Sequence, residues 1–318
     1  MTRDRQPRFV ATGRGSNERL EVLREGRFNT GTVEINYGEG PPNGPPFVIL
    51  HGGSASWRYA EALIELLVDQ WHVFAPDFRG HGESGRVAGH YNLRDYAEDI
   101  ADFLVEVVRD EAVLFGHSLG GEVAIMVAAE HPGNVCAVIH GDVSFSKVNH
   151  PTAENNVLRA QNELWYRLSG QPVADIAMEL REMMVSVPGT DSPVRAGDAF
   201  GEANPWFDFQ ALNLHRLDPG MLAAVLAGPE VMLDGYEPEK LLPAISCPVL
   251  ILQADPDAGG GMSDAEVEKG MRLLPRPTLV RLEGIGHELH GLHAQRIFDV
   301  MSQFLKDHAS HDVPARTR

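Results

Sequence analysis

Short apolar runs alternate with amphipathic stretches along most of this chain. The runs are LEVLR (residues 20–24), TVEINY (32–37), PFVIL (46–50), HVFAP (72–76), AVLF (112–115), CAVIHG (136–141), PVLILQ (248–253) and TLVRL (278–282). From the third onward they are short, rich in Val, Ile and Leu, and bounded by Gly or Pro, as strands buried on both faces are. The first two alternate more, like strands exposed on one face. Helical periodicity separates the later runs. Residues 93–108 place Tyr96, Ile100, Phe103, Leu104 and Val107 on one face, with Asn92 as the expected N-cap. Residues 121–133 form a second helical pattern, closed by Pro132-Gly133, and residues 293–308 a third. Strands alternating with helices predict an α/β fold: a mostly parallel eight-stranded sheet with helices on both faces.

One segment breaks the rhythm. Residues 144–240 hold no clear buried strand, but do hold helical stretches at 158–168 and 173–187 and many aromatic side chains. They read as a helical cap inserted between two sheet strands, above their C-terminal ends, where open α/β sheets bind ligands. The expected organisation is a polar N-terminal segment (1–20), a core of 21–143 and 241–307, the cap (144–240) and a C-terminal tail (308–318).

Composition narrows the partners. The 318 residues carry a net charge of −18, with 43% hydrophobic residues, enough for a core. The acidic balance argues against nucleic acid or an anionic membrane as partner. No apolar run approaches the roughly 18–20 residues of a spanning helix. The N-terminus lacks the apolar segment of a secretory signal. Cys136 and Cys247 each sit in or beside an apolar run and read as buried free thiols, so a cytoplasmic, reducing location is expected.

The fifth run leads into Gly116-His117-Ser118-Leu119-Gly120-Gly121, followed by a helical pattern. This is G-x-S-x-G between strand and helix. A turn this tight pushes the serine hydroxyl clear of the sheet, and side chains at 116 and 120 would clash with the neighbouring strand and helix. The backbone N–H of Leu119 then points toward a reacting carbonyl oxygen.

With three further motifs, the sequence resembles the α/β-hydrolase superfamily from about residue 20 to 306. His51-Gly52-Gly53-Ser54 follows PFVIL, where that family has its oxyanion loop. Asp77-Phe78-Arg79-Gly80-His81-Gly82-Glu83-Ser84 follows HVFAP and looks like the family's D-x-R-G-x-G-x-S loop. Gly286-His287 follows TLVRL, where the family carries its catalytic histidine. The resemblance implies a Ser–acid–His triad with Ser118 as nucleophile and His287 as base. It places the acid after PVLILQ. There Asp257 lies three residues after Ala254, which replaces the family's usual glycine; Asp255 is a second candidate, and Asp142, ending the preceding strand, a third. It implies Gly53 and Leu119 as oxyanion donors, and His51 and the Arg79–Gly82 loop as structural. Ser54, Trp165, Trp206 and Phe207 are the expected substrate contacts; the aromatics could equally form cap core.

A serine nucleophile implies an acyl-enzyme, without cofactor, on a small-molecule substrate that is largely apolar, a carboxylic ester first. Amide, lactone or carbon–carbon bond hydrolysis and cofactor-free perhydrolysis use the same groups, and a receptor-like member with little turnover is a further alternative. His287, His290 and His293 are spaced i, i+3, i+6, unlike the H-E-x-x-H of zinc hydrolases, so no metal site is expected.

Overall fold

The buried apolar runs close into one sheet in the computed structural model, which describes residues 23–146, 157–185 and 192–312. Eight strands form it in the order β1-β2-β4-β3-β5-β6-β9-β10. They are β1 (Arg24–Asn29), β2 (Glu34–Glu39), β3 (Pro46–Leu50), β4 (His72–Pro76), β5 (Ala112–His117), β6 (Val135–Gly141), β9 (Val249–Ala254) and β10 (Pro277–Leu282). β1 and β2 run antiparallel to each other, and β2 is antiparallel to β4; all remaining pairs are parallel. Every residue of β3, β5 and β9 is buried, whereas β1 alternates and mostly faces solvent. Continuous apolar runs therefore sit at the centre and the alternating one at the edge, as covering both sheet faces requires.

Helices cover both faces. On one side lie α1 (Glu61–Leu67) and α12 (Leu289–Asp312), which bury Leu63, Ile64, Leu67, Ile297, Met301 and Phe304 against Phe47, Phe115 and Ile139. On the other lie α2 (Leu93–Phe103) and α3 (Leu119–Glu130), packed on Val48, Leu114 and Val138. The start of α2 is fixed by Asn92, whose side chain accepts from the Asp95 N–H while Asp95 reaches back to the Asn92 N–H. This reciprocal cap satisfies two of the donors a helix start leaves open.

The insertion contributes α4 (Val157–Leu168), α5 (Val173–Glu182), α6 (Ala196–Phe200), α7 (Trp206–Arg216), α8 (Pro219–Ala227) and α9 (Pro229–Met232). It is not purely helical. The expected helix over 173–187 stops at Glu182; Met183 turns extended, and β7 (Met184–Val185) pairs antiparallel with β8 (Val194–Arg195). The next helices, α10 (Pro238–Ala244) and α11 (Asp264–Leu273), pack beside the sheet. The cap core of Trp165, Ile176, Phe207, Leu214 and Met221 is continuous with the core beneath it, so the cap is anchored by burial. Polar ties add to this: Ser56 donates to Asn213 at 2.8 Å and Tyr91 to Asp218 at 2.6 Å.

Two expectations at the ends shift. The first described strand is Arg24–Asn29, which begins at the last residue of the LEVLR run and pairs with β2, Phe28 packing edge-on against Phe103; residues 20–22 of that run lie outside the described residues. The final helix runs Leu289–Asp312, beyond the expected 293–308 at both ends and into the expected tail. The polar segment 1–20 and residues 313–318 lie outside the described residues. Among the described residues, no helix is long and apolar enough to cross a membrane.

Burial leaves an electrostatic signature. It lowers His51 and His140 to about 4 and His81 and His290 to about 3, and it holds His117 well below the usual histidine range. Burial also pushes Glu122 up to about 8, and crowding pushes the solvent-accessible Glu288 to about 7. Below pH ~6.5 the unfolded chain takes up protons on these histidines that the fold refuses, so stability falls as pH drops toward 4. The glutamates act oppositely: above pH ~4.3 the unfolded chain releases protons that the fold keeps, so stability falls as pH rises toward 8. Each proton of difference is worth about 1.4 kcal/mol per pH unit. Five histidines outweigh two glutamates on the acid side. Denaturant unfolding between pH 5 and 8 is expected to give greatest stability between about pH 6 and 7, steeper on the acid side. A profile that is flat, or that rises toward pH 5, contradicts these assignments.

Candidate active site

The ends of the parallel strands supply all the groups that could act together. β5 delivers Ser118 through a tight turn directly into α3. Ser118 adopts φ 53° and ψ −123°, a region costly for a residue with a side chain. Its backbone N–H donates to Gly141 O at 3.0 Å, and its carbonyl accepts from Gly121 N at 2.7 Å, which pins the strained corner. The glycines make the turn possible: a Cβ at 116 would collide with the backbone of Gly120, and one at 120 with the backbone carbonyls of Leu50 and His51. Ser118 is thereby held out of the sheet at the N-terminus of α3.

β10 delivers His287. Its Nδ1 lies 2.8 Å from Asp142 Oδ2, at the end of β6, with the Asp142 side chain fully buried and the His287 side chain 37% exposed. The other partners of Asp142 are backbone donors: Ala254 N at 3.0 Å and Met262 N at 3.2 Å reach Oδ1, and Gly261 N at 2.7 Å reaches Oδ2. Burial alone would raise the Asp142 carboxyl; the His287 bond and these N–H groups outweigh it and hold it below the usual carboxylate range. An acceptor-only carboxylate fixes the donor on Nδ1 of His287 and leaves Nε2 free to take a proton.

The expected acid, Asp257, stands elsewhere. Asp255 caps the short turn Pro256–Ala258, accepting from Asp257 N at 3.0 Å and Gly284 N at 2.8 Å, and that turn carries Asp257 to the exposed surface. The chain then folds back through Gly259-Gly260-Gly261, so this loop offers N–H groups to Asp142 where a carboxylate was expected. Asp142 itself takes φ 46°, a left-handed conformation that Asp tolerates better than most residues.

The loop after β3 sits beside Ser118. A Cβ at Gly52 would lie 3.3 Å from the Ser118 Cβ, so the backbone approaches as closely as it can. Gly53 and Leu119 flank the serine on this loop and at the first position of α3, whose N–H has no acceptor within the helix. His51 braces the loop: its Nδ1 pairs with Gly52 O at 2.7 Å while Phe78 N donates to Nε2 at 3.0 Å, linking it to the loop after β4. That second loop is structural in geometry. Arg79 makes a two-pronged pair with buried Asp99 at 2.6 and 2.7 Å, and Asp77 accepts from Asn36, Trp57 and Glu83.

The motif's variable residue, His117, is a connection the sequence reading did not see. It is buried and neutral, its Nε2 lies 2.8 Å from the carbonyl of His287, and its ring centroid is 4.7 Å from the His287 ring. The residue preceding Ser118 therefore ties the His287 loop to the serine turn. Behind it, buried His290 packs edge-on against Phe115, Tyr59 and His117. His293 marks a kink in α12, and among the described residues no three His, Cys, Asp or Glu side chains converge as a metal site would need.

Ser118 and His287 share a cleft of about 530 Å³, its open mouth included, between the sheet edge and the cap. Of the expected contacts, Ser54, Trp165 and Trp206 line it. Phe207 does not: it is fully buried in cap core, under the Arg181 guanidinium. Trp165 and Trp206 each bring a glutamine four residues away, Gln161 and Gln210, onto the same helix face and into the cleft. Gln210 also reaches Ser54 O at 3.3 Å. This i, i+4 pairing was visible in the sequence had the insertion been read for polar as well as aromatic spacing. Tyr59, His117 and Glu288 also line it.

The His117 tie generates a prediction. Replacing it by Phe keeps the bulk but removes the donor to His287 O, which is expected to lower kcat roughly tenfold or more while KM changes little. Gln at 117 should restore part of the loss; an unchanged kcat in the Phe variant would show that the tie does not position His287.

The alpha/beta hydrolase family model matches residues 47–300. The 2-(acetamidomethylene)succinate hydrolase of Mesorhizobium japonicum is 34% identical over 113 residues, 36% of this chain, and the chain spans only 40% of that relative's length. The non-heme chloroperoxidase of Streptomyces lividans is 28% identical over 281 residues, 84% of this chain and 94% of that one. Among solved structures, a thermophilic esterase from Thermogutta terrifontis matches with a TM-score of 0.67 at 22% identity, covering 90% of this chain and 99% of the other. That likeness establishes the fold. With the motifs on the strand ends and a family match over most of its length, the chain belongs to the alpha/beta hydrolase family.

Proposed function

We propose that this chain hydrolyses a carboxylic ester of a small substrate through an acyl-enzyme on Ser118, with His287 as general base and acid and Asp142 as its orienting acid. The observation that carries the reading is the 2.8 Å contact between His287 Nδ1 and the fully buried Asp142 carboxylate, beside a serine held in the strained corner at the same cleft.

His287 Nε2 takes the Ser118 proton as the oxygen attacks the substrate carbonyl. The oxyanion is met by the N–H groups of Gly53 and Leu119, and Asp142 stabilises the imidazolium. The imidazolium then protonates the leaving alcohol, and the same residues activate water to release the acid. The tetrahedral intermediate on Ser118 expels an alkoxide more readily than an amine as it collapses to the acyl-enzyme, which favours esters over amides. Likeness to a chloroperoxidase over most of both chains favours a second use of the same groups, with hydrogen peroxide as acyl acceptor in place of water.

Ser118→Ala should abolish turnover of short p-nitrophenyl esters while leaving the circular dichroism unchanged; near wild-type rate in that variant removes the mechanism. Asp142→Asn should lower kcat by about 10³–10⁴. Asp257→Asn should stay within about twofold, as an exposed surface change does. The reverse pattern for the two aspartates would return the acid role to Asp257. A fluorophosphonate should add a single mass equivalent on Ser118, and turnover without any adduct would point to other chemistry.

A further inference from the structure

Glu288 is the residue of the cleft that this mechanism leaves unused. It follows His287 directly and lines the same cavity. Its side chain is accessible to solvent, yet protein crowds the carboxyl on the cleft wall. It has no hydrogen-bond or ion-pair partner among the described residues, and desolvation alone pushes its carboxyl up to about 7. Among the described residues that line the cleft there is no lysine or arginine; the titratable groups beside Glu288 there are Tyr59, His117 and His287. The remaining walls include Trp165 and Trp206.

A carboxylate that gives up hydration without gaining a partner is costly, and a cation brought by the substrate would relieve that cost. Aromatic faces nearby attract the same charge. At long range the net charge of −18 draws cations and repels anions. The leaving oxygen must meet His287, and Glu288 follows His287 in the lining of the same cleft.

We propose that Glu288 is a specificity residue that seats a protonated amine on the alcohol portion of the substrate, making esters of amino alcohols the preferred class. This rests on the ester-hydrolase reading above. It sets the chain apart from the similar Mesorhizobium enzyme, whose name describes an acidic, succinate-derived substrate. A tertiary ammonium fits better than a quaternary one, because its N–H can donate to the carboxylate as well as face the indoles.

The test compares three acetate esters: 2-(dimethylamino)ethyl, its neutral isostere 3-methylbutyl, and the anionic 2-carboxyethyl. Wild type should favour the amine over the isostere by at least about tenfold in kcat/KM, chiefly through KM, and should use the anion least. In Glu288→Gln the amine-to-isostere ratio should fall toward one, and Glu288→Asp, which keeps the charge, should retain part of it. A ratio near one in wild type, or a ratio that survives Glu288→Gln, overturns the proposal. Binding is read separately, by tryptophan fluorescence titration with 2-(dimethylamino)ethanol and 3-methylbutan-1-ol. Tighter amine binding in wild type that is lost in Glu288→Gln, with no ester turned over, upholds the amine seat and contradicts the ester reading. Ester turnover with equal binding of the two alcohols does the opposite.

Discussion

A buried carboxylate is the constraint on which the rest of the site depends. Asp142 has no exposed side-chain surface, and it stays charged only because four N–H donors converge on it: His287 Nδ1 and the backbone of Ala254, Gly261 and Met262. Removing any one would leave a charge buried and short of partners, the expensive condition that otherwise drives a carboxyl to protonate. The three backbone donors come from the end of β9 and the loop after it. The acid on β6 thus holds that loop in place, and the loop in return holds the acid. His287, arriving from β10, is oriented by an anion whose position was already decided by the sheet.

The remaining loops follow the same economy of neutral or paired groups. His51 joins the loops after β3 and β4 as a neutral ring with a donor on one nitrogen and an acceptor on the other. His117 joins the serine corner to the His287 loop, also uncharged. Arg79 is buried, but against Asp99 and Asp95. Glu288, on the cleft wall, has no such partner among the described residues, and it is the group proposed to be completed by the substrate.

Much of this was legible in the residues. The runs of Val, Ile and Leu located seven of the eight sheet strands, because a strand buried on both faces must be apolar throughout. The serine corner announced itself through glycines that nothing larger could replace, and Asn92 marked the start of a helix it does cap. The acid was harder. Asp142 and Asp257 both follow parallel strands that lie side by side, β6 and β9, and strand position alone does not separate them. What separates them in the structure is the folding of Gly259–Met262, which brings the N–H groups of Gly261 and Met262 onto Asp142 and leaves Asp257 exposed. Phe207 failed for the opposite reason. Aromatic residues at helical spacing report burial, and the sequence of an inserted cap does not say which buried face borders the cleft. Glu288 and His117 each adjoin a motif residue, and neighbours in a loop or turn carry no periodicity that tells which of them borders the cleft.

The account turns on Asp142 being the group that receives the Nδ1 proton of His287. Proton NMR of the imidazole N–H region tests this without reference to any substrate. Wild type and Asp257→Asn should both show a far-downfield resonance from His287 Nδ1–H, and Asp142→Asn should lose it. A resonance that persists in Asp142→Asn and disappears in Asp257→Asn would contradict the account.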